Sequence, residues 1–261
     1  MIASIMLPDS ETTIGQLFEV FFTKKQFKPT LILLYATVAM VCWKYLFIPE
    51  PLQQFYFQIF GKSVVSQFFL GTYKIFGSFF LFGIIPILII KLVFREKAGD
   101  YGLRPGNTKR VAFTFGVLAP VMIVLGFVAG RDPAFWSVYP FNRTVTTETT
   151  LFACHALTYL AYYFGWEFFF RGFLQHGLRE SFGGLNAVLV QTMASTLLHL
   201  GNPVGEVFGA IFGGLLWGGL TVYCRSIFSG FLQHSLLGIT LDWFILKNSV
   251  VCQIIFNGNP S

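Results

Sequence analysis

The sequence predicts an all-α protein, a polytopic transmembrane helical bundle of about seven spans, with eight as the alternative. Hydrophobic residues make up 54% of the 261-residue chain and charged residues only 11%. Soluble domains carry roughly 25% charged residues, so this chain cannot cover a water-facing surface in the usual way. The mean hydropathy of +0.65 also excludes disorder, because apolar sequence with so little charge collapses instead of solvating itself.

Apolar runs of about 20 residues are long enough to cross a bilayer as helices, and they follow one another along the whole chain. We place the seven spans near residues 31–48, 75–94, 111–129, 151 to beyond 171, 185–200, 204–223 and 227–246. An eighth is expected if the chain past Val250 re-enters the membrane. The sixth span is rich in glycine, which permits close packing of helices in a membrane.

A short amphipathic segment precedes the first span. Its apolar residues recur at helical spacing and lysines follow them: Ile14, Leu17, Phe18, Phe21, then Lys24, Lys25 and Lys28. This pattern is typical of a helix lying in the membrane interface, although a helix packed on the bundle fits it equally well. The predicted organisation is therefore an interfacial segment at 1–28, transmembrane helices and loops at 29–149, a C-terminal core of transmembrane helices at 150–246 and a tail at 247–261.

The formal net charge of +6 comes from Lys and Arg residues that lie mainly between the apolar runs, most densely at 95–110. The positive-inside rule then predicts a cytoplasmic N-terminus and an external C-terminus. We accordingly expect membrane lipids and a membrane-associated peptide or protein as partners, and no nucleic acid. Trp136 and Tyr139, in the connection between spans 3 and 4, are interpreted as interfacial aromatic residues.

Charged and titratable side chains inside the spans are the candidates for function, because a charge in the bilayer is costly and needs a partner or a purpose. They gather in the last four spans: Glu167, Arg171, His199, His234 and Asp242, with Glu206 near a span boundary. Glu167 and Arg171 are four residues apart, which lets the carboxylate meet the guanidinium on one helix face. A purely structural ion pair is the alternative.

The two histidines lie on separate spans, and Asp242 shares a helix stripe with His234. If these groups converge, Glu167, His199 and His234 could hold a divalent metal such as zinc, with an open position for water. A glutamate acting as general base beside a histidine is the alternative without metal. Both arrangements predict hydrolysis within the bilayer. His155 and His176 are interpreted as structural residues.

These residues resemble the CPBP family of intramembrane proteases, the CAAX prenyl protease and bacteriocin-processing (Abi) family. Its motifs are Glu-Glu-x-x-x-Arg, Phe-x-x-x-His and His-x-x-x-Asn or Asp, on successive helices. The corresponding segments here are Trp166-Glu167-x-x-x-Arg171, Ser195-x-x-x-His199 and His234-x-x-x-Gly238, with Asp242 one turn further. The similarity covers about residues 150–246.

The resemblance implies proteolysis of a peptide bond near the membrane, often described as metal-dependent, with Glu167, Arg171, His199 and His234 in the motif positions. Trp166 replaces the first glutamate, the usual candidate for activating water, and Gly238 replaces the polar residue of the third motif. Glu167 could then act as the base, or Glu206 or Asp242 could supply the missing carboxylate. A catalytically inactive relative that binds membrane peptides is the second hypothesis. A transporter is the third, although no internal repeat is visible.

Spans 4 and 5 run in opposite directions, which constrains where Glu167 and His199 can meet. If span 4 starts at Leu151, both residues come late in their spans and lie at different depths. They can meet only if span 4 starts nearer Ala156, or if span 5 is broken or shifted. We predict the former, which would put Glu167 close to the membrane midplane.

Overall fold

The structure is a computed structural model, and it describes residues 15, 23–47, 50–142, 144–145 and 149–248. Most of the predicted interfacial segment and nearly all of the predicted tail lie outside the described residues. Every regular element in the described part of the chain is a helix, which confirms the all-α class.

Nine helices are labelled in chain order, and a short 3-10 helix at Ala98–Tyr101 is left unlabelled. They are α1 (Lys24–Leu46), α2 (Glu50–Phe60), α3 (from Val64–Ser78), α4 (Thr108–Ala129), the short α5 (Pro133–Trp136), α6 (from Thr149–Glu167), α7 (Gly184–Leu198), α8 (Val204–Cys224) and α9 (Phe228–Lys247). Helix α3 continues to residue 94 through π-helical Phe79–Ile84, α-helical Ile85–Leu88 and π-helical Ile89–Phe94. Helix α6 continues to residue 182 through π-helical Phe168–His176 and α-helical Gly177–Phe182.

Four helices in the described part of the chain are long and apolar enough to cross a membrane. They are Lys25–Leu46, Ser66–Phe94, Thr108–Ala129 and Val204–Cys224. These four support the predicted membrane-spanning bundle, and the count of seven spans stays a prediction. Helix α2 was not predicted, and α3 begins at Val64 rather than near Ile75. The earlier start has a local cause, since Ser63 caps the helix by accepting a hydrogen bond from the backbone of Ser66 at 3.1 Å.

Helix α6 is the centre of the packed interior. Its π-helical part is buried from Phe168 to Gln175 and packs against α7, α1 and α3. A helical segment that is buried on every side is stable only when other helices surround it. Phe82 of α3 stacks on Phe169 at 4.5 Å between ring centroids, one contact of a larger aromatic cluster.

Helices α6 and α7 form a hairpin at Gly183, and this hairpin sets the depth of the candidate residues. Helix α6 begins at Thr149, before Ala156, and the predicted start of the membrane span near Ala156 stays a prediction. Glu167 and His199 nevertheless lie at similar depth, since each is 16 residues from Gly183 along an arm of the hairpin. Length counted from the turn, and not from the start of the span, decides which residues meet.

Glycines of α8 serve two purposes. A Cβ atom at Gly214 or Gly218 would collide with Thr192 or Gln191 of α7, so these glycines allow the two helices to approach closely, as predicted. Gly209, by contrast, has no neighbour within 4 Å of the position a Cβ would take, and it lines an open cavity.

Candidate active site

Glu167, Arg171 and His234 form a buried charged cluster. Glu167 Oε2 lies 3.3 Å from Arg171 Nε, and both side chains are at most 1% exposed. Glu167 Oε1 lies 2.7 Å from Nδ1 of His234 on α9. The predicted i, i+4 contact is therefore present, and it is joined by a histidine from another helix. A buried carboxylate needs such partners, since removing it from water without them costs several kcal/mol.

Two aromatic rings fix the orientation of His234. The indole of Trp217 stacks on its imidazole at 4.3 Å between centroids, and the Tyr163 ring lies 4.5 Å away on another side. Trp217 is held in turn by a hydrogen bond from its Nε1 to Oε1 of Gln233 at 3.1 Å. Because Nδ1 of His234 is occupied by Glu167, Nε2 is the ring nitrogen left to act on a bound molecule.

His199 and Glu206 form a second pair. His199 is the C-cap of α7, and its Nδ1 donates to the carbonyl oxygen of Ser195 at 2.7 Å. Its Nε2 lies 3.7 Å from Oε1 of Glu206, which stands in the first turn of α8. The same Oε1 accepts hydrogen bonds from the Tyr139 hydroxyl at 2.7 Å and from Asn202 Nδ2 at 2.9 Å. Tyr139 is 8% exposed, so its interpretation as an interfacial residue is wrong.

Asp242 lies apart from these groups. Its Oδ2 is 2.7 Å from His155 Nε2, and both side chains are at most 1% exposed. Asp242 is on the same helix as His234 but two turns further on, and it pairs with the first half of α6. The structure therefore does not bring Asp242 together with Glu167, and His155 is hydrogen-bonded in the interior.

Two cavities meet at the His199–Glu206 pair. The first, of about 570 Å³, is mainly apolar, lies between α4, α8 and α9, and has Tyr163, Arg171, His199, Glu206 and His234 in its wall. The second, of about 590 Å³, lies beside α1, α2 and α3 and is lined by Lys44, Lys62 and Lys74 among others. Tyr139, His199 and Glu206 line both cavities. These three residues therefore lie between the apolar cavity and the lysine-lined cavity.

The candidate groups do not fit the predicted metal centre. They are divided into three separate groups: Glu167 with Arg171 and His234, His199 with Glu206, and His155 with Asp242. Within the described residues, no three His, Cys, Asp or Glu side chains form a group that could hold a metal ion.

Sequence reasoning missed two aromatic residues of the site, Tyr163 and Trp217. Tyr163 lies four residues before Glu167, so helical periodicity places it on the same face and could have revealed it. Trp217 carries no such local signal, because it meets His234 only through the packing of α8 against α9.

Residues 148–240 match the family model described as type II CAAX prenyl endopeptidase Rce1-like. This match confirms the resemblance to the CAAX prenyl protease family that the motifs predicted. The matched range includes Glu167, Arg171, His199, Glu206 and His234 and ends just before Asp242. Together with the four apolar helices, the match indicates an integral membrane protein. No curated protein and no solved structure matches the chain.

Proposed function

We propose that the protein is an intramembrane endopeptidase that hydrolyses a peptide bond in a membrane-associated peptide, such as a prenylated precursor. The proposal rests on one observation. In the domain that matches the endopeptidase family, a buried Glu167–Arg171 pair holds His234 in the wall of a cavity that His199 also lines. Three separate helices contribute to this cluster, and a purely structural ion pair would not need to face a cavity.

We propose that His234 donates a hydrogen bond to the oxygen of the scissile carbonyl. Its Nδ1–H donates to the Glu167 carboxylate, and Arg171 fixes that carboxylate from the other side. When the ring is protonated, Nε2–H can donate to the oxygen of the carbonyl as negative charge develops there. A donor already oriented in a dry site stabilises such an oxyanion more than water does.

The two cavities suggest how the substrate lies. The apolar cavity suits a lipid group or apolar side chains, and the cavity with three lysines suits an acidic end of the peptide. A substrate that spans both would place its backbone beside His199 and Glu206, between the two cavities. An amphiphilic peptide with its apolar part on one side of the cleaved bond is therefore the proposed substrate class.

An inactive, peptide-binding relative is the second candidate. Trp166 favours it, because an indole that stands 5.3 Å from the His199 ring cannot take a proton from water. The cavities would then bind a membrane peptide without cutting it.

Cleavage by the full-length protein in liposomes separates the two candidates. The substrate is an internally quenched peptide with a farnesylated cysteine, and the variants are His199→Ala and His234→Ala. We expect each to reduce kcat/KM by about 100-fold or more, the usual contribution of an acid–base or oxyanion group. His176→Ala is the matched control, because His176 lines neither cavity.

Cleavage that persists in both histidine variants would overturn the proposed site. A wild-type protein that binds the peptide and releases no product would favour the inactive relative. A comparison of C-terminal peptides in cells carrying wild-type protein or Glu167→Ala extends the test to natural substrates.

A further inference from the structure

Position 166 leaves the site without the carboxylate that would activate water. The Trp166 ring lies edge-on to His199 and is packed against Tyr162, Phe170 and Trp43. It is 2% exposed and stands in the wall of the second cavity, so an indole occupies the position beside His199 where a carboxylate would be needed. If the protein cleaves peptides with a carboxylate base, that carboxylate must come from another residue beside His199.

Glu167 and Asp242 are both paired with other residues, and neither lines a cavity. Oε1 of Glu167 is bonded to His234, Oε2 lies 3.3 Å from Arg171 Nε without a hydrogen bond, and the completely buried side chain lines neither cavity. Asp242 is also completely buried, is bonded to His155 and lines neither cavity. Neither carboxylate is placed to meet a water molecule at His199.

Glu206, by contrast, is placed to meet a water molecule at His199. Its Oε1 is fixed by Tyr139 and Asn202, while its Oε2 is buried and has no hydrogen-bond partner among the described residues. Because His199 Nδ1 donates to a carbonyl oxygen, a neutral ring carries its lone pair on Nε2. At 3.7 Å, Glu206 and Nε2 are too far apart for a direct hydrogen bond, but one water can donate to both.

We infer that Glu206 is the general base of this protein and takes the place of the glutamate missing at position 166. This inference rests on the proposed peptidase activity. Glu206 accepts a proton from a water that also donates to His199, and the water oxygen bonds to the scissile carbonyl carbon. The carbonyl π electrons move to its oxygen and return as the intermediate collapses. Glu206 then gives the proton to the amide nitrogen, which leaves with the electron pair of the C–N bond, so that a carboxylic acid and an amine are released.

The substitution Glu206→Gln separates this role from a structural one. Glutamine keeps an Oε1 acceptor for Tyr139 and Asn202, so the local hydrogen bonds survive while the base is lost. We expect kcat on the farnesylated peptide to fall by about 100-fold or more, with KM changed by less than about threefold. The matched control is Glu96→Gln, which removes a carboxylate that lines neither cavity and should retain wild-type kcat.

A second variant keeps the test decisive if glutamine disturbs the packing. Glu206→Ala opens space between the two cavities. Added formate should act as an external base and raise the cleavage rate of this variant at least tenfold. Activity in each case is divided by the folded fraction measured by size-exclusion chromatography. A folded Glu206→Gln protein with kcat within about threefold of the control would overturn the inference. A folded Glu206→Ala protein whose cleavage rate does not rise with formate would also overturn the inference. Absence of cleavage by wild-type protein would instead count against the proposed function.

Discussion

The hydroxyl of Tyr163 occupies the space that a side chain at Gly238 would need. A Cβ atom added to Gly238 would overlap that hydroxyl and the adjacent ring carbons. The family that the chain resembles has Asn or Asp at this third-motif position. In this protein a polar group is therefore present at the same place, but it comes from α6 and not from α9.

Removing the Tyr163 hydroxyl tests whether it replaces the missing polar side chain. Tyr163 lines the apolar cavity, and its ring lies 4.5 Å from that of His234. If the hydroxyl donates to the reacting carbonyl, Tyr163→Phe should lower kcat by about 10- to 100-fold, with little effect on the melting temperature. Tyr223→Phe is the control, since Tyr223 lines neither cavity. Equal activity of the two variants would assign the hydroxyl to packing alone.

The Glu167–Arg171 contact should dominate the stability of the site. Arg171→Met leaves the Glu167 carboxylate buried without its cation, which typically costs about 3–5 kcal/mol of unfolding free energy. Arg179→Met on the same helix is the control, because Arg179 is exposed and should cost less than about 1 kcal/mol. Reversible unfolding in detergent micelles measures both. The double variant Glu167→Gln/Arg171→Met should recover part of the loss, and similar stabilities of the two single variants would contradict this account.

The lysines of the second cavity predict a preference for an acidic peptide end. Lys44, Lys62 and Lys74 line this cavity, and Glu206 is its one lining carboxylate among the described residues. A peptide with a free C-terminal carboxylate should therefore have a KM about tenfold lower than its C-terminal amide, the effect of one charge-assisted hydrogen bond. Lys62→Met should reduce this difference, while Lys109→Met, outside both cavities, should leave it intact. Equal KM values for the acid and the amide would show that this cavity does not bind the C-terminal end of the substrate.

Metal analysis tests the expected zinc site directly. Because Glu167, His199 and His234 do not form one group, we expect cleavage to survive a chelator and purified protein to hold well under one metal ion per chain. The measurement is metal content of wild-type protein and of His199→Ala, alongside cleavage rates with and without chelator. A stoichiometric metal that is lost in His199→Ala would instead support the ligand set predicted from the sequence.

Glu96 makes the contact between α1 and the segment that follows α3 sensitive to acid. Its carboxylate accepts hydrogen bonds from Lys28 at 2.8 Å and from the Tyr101 hydroxyl at 2.5 Å. Burial by itself raises the pKa of this carboxyl, but these hydrogen bonds and the charge of Lys28 outweigh burial, so the pKa lies below its ordinary value of 4.5. A lowered pKa means that the stabilisation is complete above the unfolded-state pKa and is lost as pH falls through the folded-state pKa.

The difference in melting temperature between wild-type protein and Glu96→Gln should therefore be present at about pH 7 and shrink toward about pH 3. Thermal unfolding of both proteins across this range measures it. A difference that stays constant into the acid range would show that the contact does not depend on the charge of Glu96.

The sequence alone predicted the helical membrane class, the positions of most apolar helices and the chemically important residue types. These are properties of local composition and spacing: scarce charge, long apolar runs and a carboxylate four residues before an arginine. The same information predicted the Glu167–Arg171 contact, because i, i+4 geometry holds in any helix. It also predicted the resemblance to the CAAX prenyl protease family, since the motif histidines keep their order and spacing.

Only the tertiary structure decided how these residues are grouped. Asp242 shares a helix with His234 yet pairs with His155, and Glu206, near a span boundary, lies beside His199. The α6–α7 hairpin at Gly183 brings Glu167 and His199 to one depth, which counting from the start of the span had missed. Partners on different helices depend on where each helix turns and which face it buries, and those distances are set by packing across the bundle, not by spacing along the chain.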